Sequence, residues 1–349
     1  HARVRTTRRG VFVDVSAQSA MTWTMLNGMT AAPIQGFDYQ RDGSVLQIGP
    51  RWLPLVHPAK DGHVVALGLG ALTRKLVPWL LEAGTIDESF LEREEWKSYD
   101  YRIFRGGEFE FPLEELTETL DRFFATRSKR ELFLPGLAIG ATIAPVMSLD
   151  DLFEFEQLAD RDYFEEIELP SGERVRAPGA FARSTAAPFE LRYRAPRLGE
   201  HTAEILAELD RGPRERLPLC ADAATTETTL PLEGLKVADF SWVGVGPISG
   251  KYLADHGANV IRIESSTRAD NLRTAGPYKD DQPGWNRSQF FGEFNTSKRS
   301  LALDMKHEGA GLVSPRLLEW ADVVLESFTP GAAERLGVGY EAARRANPG

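Results

Sequence analysis

One stretch, Leu230–Ser265, constrains the fold more than any other part of this chain. It contains a short apolar run, Leu235–Phe240, of the kind that forms a buried strand. A turn with two glycines follows, and Pro247 suits the first turn of a helix, where its missing N–H costs nothing. Gly257 ends that helix, and Asn259–Ile263 is typical of the next strand. The pattern predicts a β-α-β unit whose helix N-terminus faces a ligand, usually one that bears phosphate, above the strand ends.

Strands and helices continue to alternate after this unit. A strand is predicted at Leu301–Met305, a helix end followed by a strand over Glu319–Leu325, and a short helix at Ala332–Leu336. Pro315 is expected to break or bend any helix drawn through it. The alternation predicts an α/β fold with an open, mostly parallel, Rossmann-like sheet.

The first part of the chain carries weaker patterns, which predict a smaller α/β domain. Pro170, Ser171 and Gly172 separate two strand-like runs and predict a β-hairpin. Residues 211–230 have few large apolar side chains and no periodicity, so they are expected to form a linker. The predicted elements are a strand at Val11–Val15, a helix from Ser16 to about Met29, helices at Leu72–Glu82 and Leu113–Thr126, a strand at Ile139–Pro145, a helix at Leu149–Ala159, the hairpin strands Phe164–Leu169 and Glu173–Ala177, and a helix at Thr202–Leu209.

Composition excludes several classes of function. The net charge of −10 argues against broad nucleic-acid binding, so a polyanionic ligand needs a local basic cluster. The single cysteine, Cys220, excludes a disulfide framework and a cysteine metal cluster and fits a reducing, cytoplasmic compartment. The six histidines show no metal-binding spacing, and no apolar run reaches the roughly 20 residues that span a bilayer. We therefore expect no metal, no nucleic-acid partner and no membrane span.

A dinucleotide-binding oxidoreductase is one interpretation of the β-α-β unit. Gly244 and Gly246 follow a strand, and Glu264 lies 20 residues after the first glycine, as in the fingerprint whose acidic side chain binds a ribose hydroxyl. Two residues count against it: Ser249 stands at the third glycine position, and Pro247 removes an N–H that the pyrophosphate would use. An NAD(P)-binding oxidoreductase therefore remains an alternative that rests on a weak pattern.

Several longer pieces of sequence point elsewhere. From Pro231 onward the chain contains, in order, LEGLKVADFSWVGVGP, LADHGANVIRIES, FNTSKRSLALDMK, ADVVLESFTPGAAERLGVGYE and the closing NPG. In order and spacing these pieces resemble the opening of a family III CoA-transferase (the CaiB/BaiF family). Residues 10–205 are similar to the later part of the same family, through GVFVDVSAQSA, DGHVVALG, APVMSLDDL and PRLGEHTAEIL.

The two resemblances come in reversed order. A family member begins with what here starts at residue 231 and ends with what here stops near residue 210. The simplest interpretation is a chain that spans the junction of two tandem copies; a circular permutation is less favoured, because it would still need the middle segment. The resemblance divides the chain into residues 1–59 (large-domain return strand, helix and linker of the first copy), 60–150 (small α/β domain), 151–210 (return segment to the large domain), 211–230 (linker) and 231–349 (Rossmann-like CoA-binding part of the second copy).

The resemblance implies transfer of CoA between an acyl-CoA thioester and a small carboxylic acid. Family members use an aspartate that forms a mixed anhydride and then an aspartyl-CoA thioester. No Asp of this sequence stands in that motif, so we assign no catalytic residue and expect no turnover from this chain alone. An acyl-CoA racemase or isomerase of the same family, and a non-catalytic CoA-binding scaffold copy, are alternatives. No covalently bound cofactor is expected, and the implied assembly is a homodimer or an intrachain pseudo-dimer of interlocked copies.

The resemblance also implies where CoA binds. Its phosphates need cations and free N–H groups, and its adenine and pantetheine need an apolar floor. Lys298 and Arg299 are expected to face phosphates, Phe328 to pack near the adenine or pantetheine, and Arg335 to add charge. The predicted binding residues are Val243, Gly244, Gly246, Asn295, Lys298, Arg299, Phe328, Ala332 and Arg335.

Two departures from the family pattern weaken this inference. Ser265 stands where a basic residue often follows Glu264, and Ser327 replaces the usual asparagine. Phosphate affinity is therefore expected to be reduced. Each candidate also has a structural alternative: a Lys-Arg pair is often a solvated strand edge, Phe328 suits a core, and the glycines suit a tight turn.

Overall fold

The computed structural model describes residues 12–25, 32–34, 36, 40–48, 51–67, 70–92, 99, 112–184, 189, 193–211 and 230–348. The chain divides into two compact units. His1–Tyr39 and Leu217–Gly349 form the parallel-sheet unit, and Gln40–Arg216 forms the antiparallel-sheet unit. The domain boundaries and the assignment to two copies, made above from the sequence, stay a prediction.

Strands and helices are numbered along the chain. The strands are β1 (Arg41–Asp42), β2 (Val45–Ile48), β3 (Arg51–Pro54), β4 (Val56–Ala59), β5 (Gly62–Ala66), β6 (Ile143–Pro145), β7 (Phe164–Glu168), β8 (Arg174–Pro178), β9 (Lys236–Asp239), β10 (Asn259–Glu264), β11 (Arg299–Ala302) and β12 (Val323–Leu325). The helices are α1 (Ala17–Thr22), α2 (Gly70–Glu82), α3 (Leu113–Phe124), α4 (Lys129–Ala138), α5 (Leu149–Phe153), α6 (Glu156–Ala159), α7 (Thr202–Asp210), α8 (Val245–Asp255), α9 (Gln289–Phe294), α10 (Ala310–Trp320), α11 (Ala332–Arg335) and α12 (Tyr340–Ala346). No helix of the described residues is long and apolar enough to cross a bilayer.

The parallel-sheet unit contains a sheet with the strand order β11-β10-β9-β12. All three neighbouring pairs are parallel. If the strands are numbered by their order in the chain, they lie side by side as 3-2-1-4. The strand order therefore reverses between β9 and β12. The predicted α/β class and parallel sheet are confirmed.

Helices cover both faces of this sheet. Val237 and Val260 share a buried cluster with Ala254 of α8. The alternate positions Ala238 and Ile263 face the other way, into a cluster with α10 and α12. Because side chains alternate along a strand, Asp239 and Arg262 lie on the α8 face with Val237 and Val260.

The predicted β-α-β unit forms β9, α8 and β10, with Pro247 in the first turn of α8. Gly257 lies just after this helix with φ of 105°, and a Cβ there would come within 2.6 Å of the Leu230 Cβ. Both its conformation and its close packing therefore require glycine.

Five sequence predictions of local structure need correction, and one of them is the strand expected at Ile139–Pro145, which begins only at Ile143 as β6. The strand expected at Leu301–Met305 is β11, Arg299–Ala302, because Arg299 pairs with Ile261 of β10. Helix α10 continues through Pro315. Proline has no N–H to donate to the carbonyl of Gly311, four residues earlier, but Gly311 is exposed, so water can bond to that carbonyl instead. Residues 12–16 have no regular structure, and the helix expected over 149–159 is two short helices, α5 and α6.

The antiparallel-sheet unit is built from hairpins and helices. Strands β4, β5 and β6 pair antiparallel, and α3 packs its apolar face against a core that includes Leu76 and Val64. Inside this core His57 bonds to Asp121 at 2.7 Å and to the Ala66 carbonyl at 3.1 Å. The predicted hairpin is confirmed as β7 and β8.

Candidate functional site

The four parallel strands end at one edge of their sheet, where four loops begin. These carboxyl-edge loops are residues 240–244 after β9, 265–270 after β10, 303–309 after β11 and 326–331 after β12. In open parallel sheets a ligand binds outside the carboxyl ends of the strands, at the point where the strand order reverses. The candidate site is therefore the crevice between the loops after β9 and β12.

Side chains connect these loops to one another. The Trp242 N–H donates to Ser327 Oγ at 3.0 Å, and the Ser327 hydroxyl donates to the Trp242 carbonyl at 3.2 Å. The rings of Trp242 and Phe328 lie edge to face with centroids 6.0 Å apart. Thr267 donates to Asp304 at 2.6 Å, a bond that lowers the pKa of Asp304. These contacts join the loop after β9 to the loop after β12, and the loop after β10 to the loop after β11.

Helix α8 presents its N-terminus to this edge. Gly244 is its N-cap, and the first bond within the helix runs from the Ile248 N–H to the Gly244 carbonyl at 3.0 Å. The earlier N–H groups have no partner inside the helix, and the helix dipole favours an anion beside them. Gly246 is required here, because a Cβ would lie 2.1 Å from the Cβ of Ser241.

Val243 adopts a strained conformation at the start of this turn. Its φ is 67°, a left-handed value that is rare for a β-branched residue. Such strain costs about 1–3 kcal/mol and persists only where the surroundings enforce it. The Val243 N–H donates to the two carboxylate oxygens of Asp270 at 3.3 and 3.2 Å, while the Val243 side chain is 45% exposed.

A buried group of six charged side chains lies beneath the carboxyl-edge loops. Arg262 forms an ion pair with Asp270, lies 3.7 Å from Asp239, and donates to the Ser241 carbonyl at 2.8 Å. This ionic cluster consists of Asp239, Arg262, Glu264, Asp270, Arg273 and Lys298. Three carboxylates therefore balance three cations, as burial of charge requires.

Lys298 belongs to this cluster and does not face solvent. Its side chain is only 2% exposed and donates to Asp239 at 2.8 Å, to the Pro247 carbonyl at 2.8 Å and to Asn295 Oδ1 at 3.0 Å. Burial lowers the pKa of Lys298, against the pull of the Asp239 carboxylate. The structure therefore places Lys298 and Asn295 beneath α8, and their predicted contact with CoA stays a prediction.

Glu264 is similarly occupied. Its carboxylate forms an ion pair with Arg273, whose Nε donates at 2.9 Å, and its side chain is 8% exposed. Burial raises the pKa of Glu264, but the bond and charge of Arg273 outweigh burial, so the net direction is downward. A carboxylate held in this way is not available to bind a ribose hydroxyl, which counts against the dinucleotide interpretation.

Gly250 of α8 leaves room for the ionic cluster. A Cβ there would lie 2.8 Å from Asp239 Oδ2 and 3.1 Å from Lys298 Nζ. We expect Gly250→Ala to lower the free energy of unfolding by about 1–3 kcal/mol, the usual cost of overpacking. Gly311→Ala is the matched control, because it is also helical and has nothing within 4 Å. There the substitution should raise stability by up to about 1 kcal/mol. Urea unfolding of both variants measures the difference, and equal effects would contradict this packing.

Arg299 lies on the edge strand β11, two strands away from β9 and the crevice. It begins β11 and pairs with Ile261, and its Nη1 lies 3.5 Å from Asn259 Oδ1 at the beginning of β10. Three residues separate it from the end of its strand, a distance of about 10 Å. The Arg299 side chain therefore reaches toward the beginning of β10, and its contact with a phosphate beside Gly244 stays a prediction.

Two exposed cations that sequence reasoning missed lie in the carboxyl-edge loops. Arg268 stacks on the Trp242 ring, with its guanidinium carbon 4.8 Å from the ring centroid, and Lys306 follows β11. In the described part of the chain, no carboxylate lies within ion-pair distance of either cation. The sequence signal for such cations is a basic residue within a few positions after a predicted parallel strand, because the loop at the carboxyl edge begins where the strand ends.

The predicted residues after β12 are placed at the carboxyl edge. Phe328 is partly buried against the α10–α12 cluster, and its N–H donates to Glu326 at 2.7 Å. Gly331 precedes α11 with φ of 78° and turns the chain into that helix. Ala332 is the first residue of α11, and Arg335 is its exposed last residue. Arg335 thus adds a third exposed cation near this edge.

Comparison with known protein families shows which family the chain belongs to. The profile of CoA-transferase family III matches residues 1–202 and 232–349. The chain belongs to CoA-transferase family III. The resemblance seen in the sequence is therefore confirmed, over both of its parts.

Named relatives within family III are CoA-transferases. The acetyl-CoA:oxalate CoA-transferase of Acetobacter aceti is 39% identical over 128 residues, which are 35% of this chain and 32% of that protein. The succinate–glutarate CoA-transferase of Agrobacterium fabrum is 39% identical over 121 residues, 34% of this chain and 30% of that protein. The chain thus spans about a third of the length of the curated relatives it matches.

Solved family III structures align over a similar share. A CaiB/BaiF family protein from Brucella suis is 34% identical with a TM-score of 0.31, over 34% of this chain and 32% of that chain. Rv3272 from Mycobacterium tuberculosis is 32% identical with a TM-score of 0.29, over 35% of this chain and 31% of that chain.

The two departures of this family III member have structural roles at the site. The Ser265 hydroxyl accepts from the Arg268 N–H at 3.1 Å and lies 2.9 Å from the Thr267 hydroxyl, so it shapes the loop after β10. Ser327 bonds to the backbone of Trp242 as described above. Both serines therefore fix loops at the carboxyl edge.

Proposed function

We propose that residues 231–349 bind the nucleotide end of CoA at the carboxyl edge of the parallel sheet. The observation that supports this most is the convergence of the α8 N-terminus with exposed cations in loops of a family III chain. Free N–H groups and cations are what a pyrophosphate and a 3′-phosphate need. Arg268, Lys306 and Arg335 are the proposed phosphate cations, in place of the buried Lys298 and the distant Arg299.

The predicted apolar and backbone contacts keep their place in this proposal. Val243, Gly244 and Gly246 supply the turn, and Phe328 and Ala332 supply apolar surface for the adenine or pantetheine. Asn295 and Lys298 support the turn from beneath through Pro247. CoA is proposed as a substrate, with no covalently bound cofactor.

We further propose that the protein serves the exchange of CoA between an acyl-CoA and a small carboxylic acid, with the catalytic aspartate outside this chain. The named relatives are CoA-transferases, which supports this class of reaction over the racemase or isomerase alternative. A carboxylate nucleophile with an anhydride and a thioester intermediate is the proposed route, and no residue of this chain is assigned to it. A cytoplasmic location and pairing with a second, interlocked copy of the fold complete the proposal.

Calorimetric titration of the 349-residue chain with CoA tests the binding proposal. We expect CoA to bind and its affinity to fall as salt rises, because partly exposed ionic contacts are screened. NADH is the control ligand, since it carries adenine and pyrophosphate without the pantetheine arm. Tight NADH binding without CoA binding would favour the oxidoreductase, and binding of neither ligand would favour a non-catalytic scaffold.

A further inference from the structure

The backbone of the first carboxyl-edge loop is held at five successive polar groups, from the Ser241 N–H to the Val243 N–H. The Ser241 N–H donates to Asp239 at 3.0 Å, and the Ser241 carbonyl accepts from Arg262 at 2.8 Å. Ser327 bonds to both polar groups of Trp242. The Val243 N–H donates to Asp270. A loop bonded in this way is built to hold one conformation.

Arg262 and Asp270 together hold this loop on the amino side of its strained residue, Val243. They form an ion pair with each other, and their side chains are 2% and 0% exposed. The guanidinium holds the carbonyl two residues before Val243, while the carboxylate holds the Val243 N–H itself. Asp270 is fixed in turn, because it also accepts from the Leu272 N–H at 2.8 Å.

We propose that the Arg262–Asp270 pair is a positioning device that keeps Val243 left-handed, so that the free N–H groups at the start of α8 stay aimed at the ligand. Without the pair, a β-branched residue would leave the left-handed region and rotate the following peptide unit. The pair does not contact the ligand. It acts on the ligand only by holding the turn. This inference rests on the proposed CoA site.

The geometry is tested without any ligand by exchanging Asp270→Asn in the full chain. The amide of Asn keeps the shape of the side chain but removes the charge that faces Arg262 and the Val243 N–H. We expect hydrogen exchange at the Val243 amide to accelerate by about tenfold or more. The Trp242 amide, which donates to Ser327, is the internal reference and should change far less. Unchanged exchange at Val243 would overturn the positioning role.

The link to CoA is tested by rescue. Asp270→Asn should weaken CoA binding about tenfold when residue 243 is valine, because the turn relaxes. In a Val243→Gly background the same change should cost about threefold or less, because glycine holds φ above zero without help. An equal loss in both backgrounds would mean that Asp270 has only a general structural role.

Two further outcomes keep the tests separable. A wild-type chain that binds no CoA contradicts the proposed function, whereas wild-type binding that Asp270→Asn leaves unchanged contradicts the positioning device alone. If Asp270→Asn does not fold, Val243→Gly by itself decides the question. The device predicts that this variant resists urea about as well as the wild type, since relief of the strain offsets the extra freedom of glycine in the unfolded chain. A clear loss of stability there would contradict it.

Discussion

Asp239→Ala is expected to lower the free energy of unfolding of the parallel-sheet unit by about 3–5 kcal/mol, the cost of breaking a buried ion pair from one side. Asp239 is fully buried and bonds to Lys298, while Arg262 lies 3.7 Å away. Its loss leaves Lys298 with no carboxylate partner in the ionic cluster. It also removes an acceptor from the Ser241 N–H.

Two comparison variants make this prediction specific. Glu319→Ala removes an exposed carboxylate from the same unit, on α10, and should change stability by no more than about 0.5 kcal/mol. The double variant Asp239→Ala with Lys298→Met should be less destabilised than the sum of its single variants, because no lysine is then stranded. Urea unfolding measures these four variants and the wild type. Additive losses would show that the two side chains are not coupled as the structure places them.

Arg268→Ala is expected to weaken CoA binding by about 1.5–3 kcal/mol, roughly 10- to 150-fold, the scale of hydrogen bonds to a charged group. Arg268 lies against Trp242 at the crevice, where its guanidinium is exposed and open to a phosphate. Arg299→Ala is the matched control, because it removes the same exposed charge from the edge strand β11, two strands away from the crevice. Calorimetry should give it an affinity within about twofold of the wild type.

The comparison between these two arginines distinguishes two possible phosphate sites: the carboxyl-edge loops, and the NTSKRS segment predicted from the sequence. A loss at Arg299 that equals or exceeds the loss at Arg268 would return the phosphate site to the NTSKRS segment. Equal but small losses at both positions would indicate that neither cation contacts CoA.

The fold could be predicted wherever an element is determined by residues that lie close together in the sequence. The unit from β9 to β10 follows from an apolar run, a proline in the first helical turn and Gly257 after the helix. The β7–β8 hairpin likewise follows from its Pro-Ser-Gly turn. Such signals are local, so one sequence carries them in full.

The site could be predicted only in part, because the functions of its charges depend on contacts between distant residues. Lys298 and Arg299 are adjacent in sequence, yet one is buried against Asp239 and the other begins an exposed edge strand. Placing β11 two residues too late concealed that Arg299 is inside the strand and at its amino end. Arg262, within an apolar strand, was the available signal for a buried ion pair, since a charge is rarely buried without a partner.

The amide hydrogen exchange of the whole chain, measured with and without saturating CoA, tests the central claim most directly. The claim is that CoA lies at the carboxyl edge of the parallel sheet. We predict slower exchange in the carboxyl-edge loops 240–244, 265–270, 303–309 and 326–331 when CoA is bound. Exchange in the loops at the amino edge, 256–258 and 295–298, should stay unchanged. Protection confined to those amino-edge loops while the carboxyl-edge loops exchange as before would contradict the account.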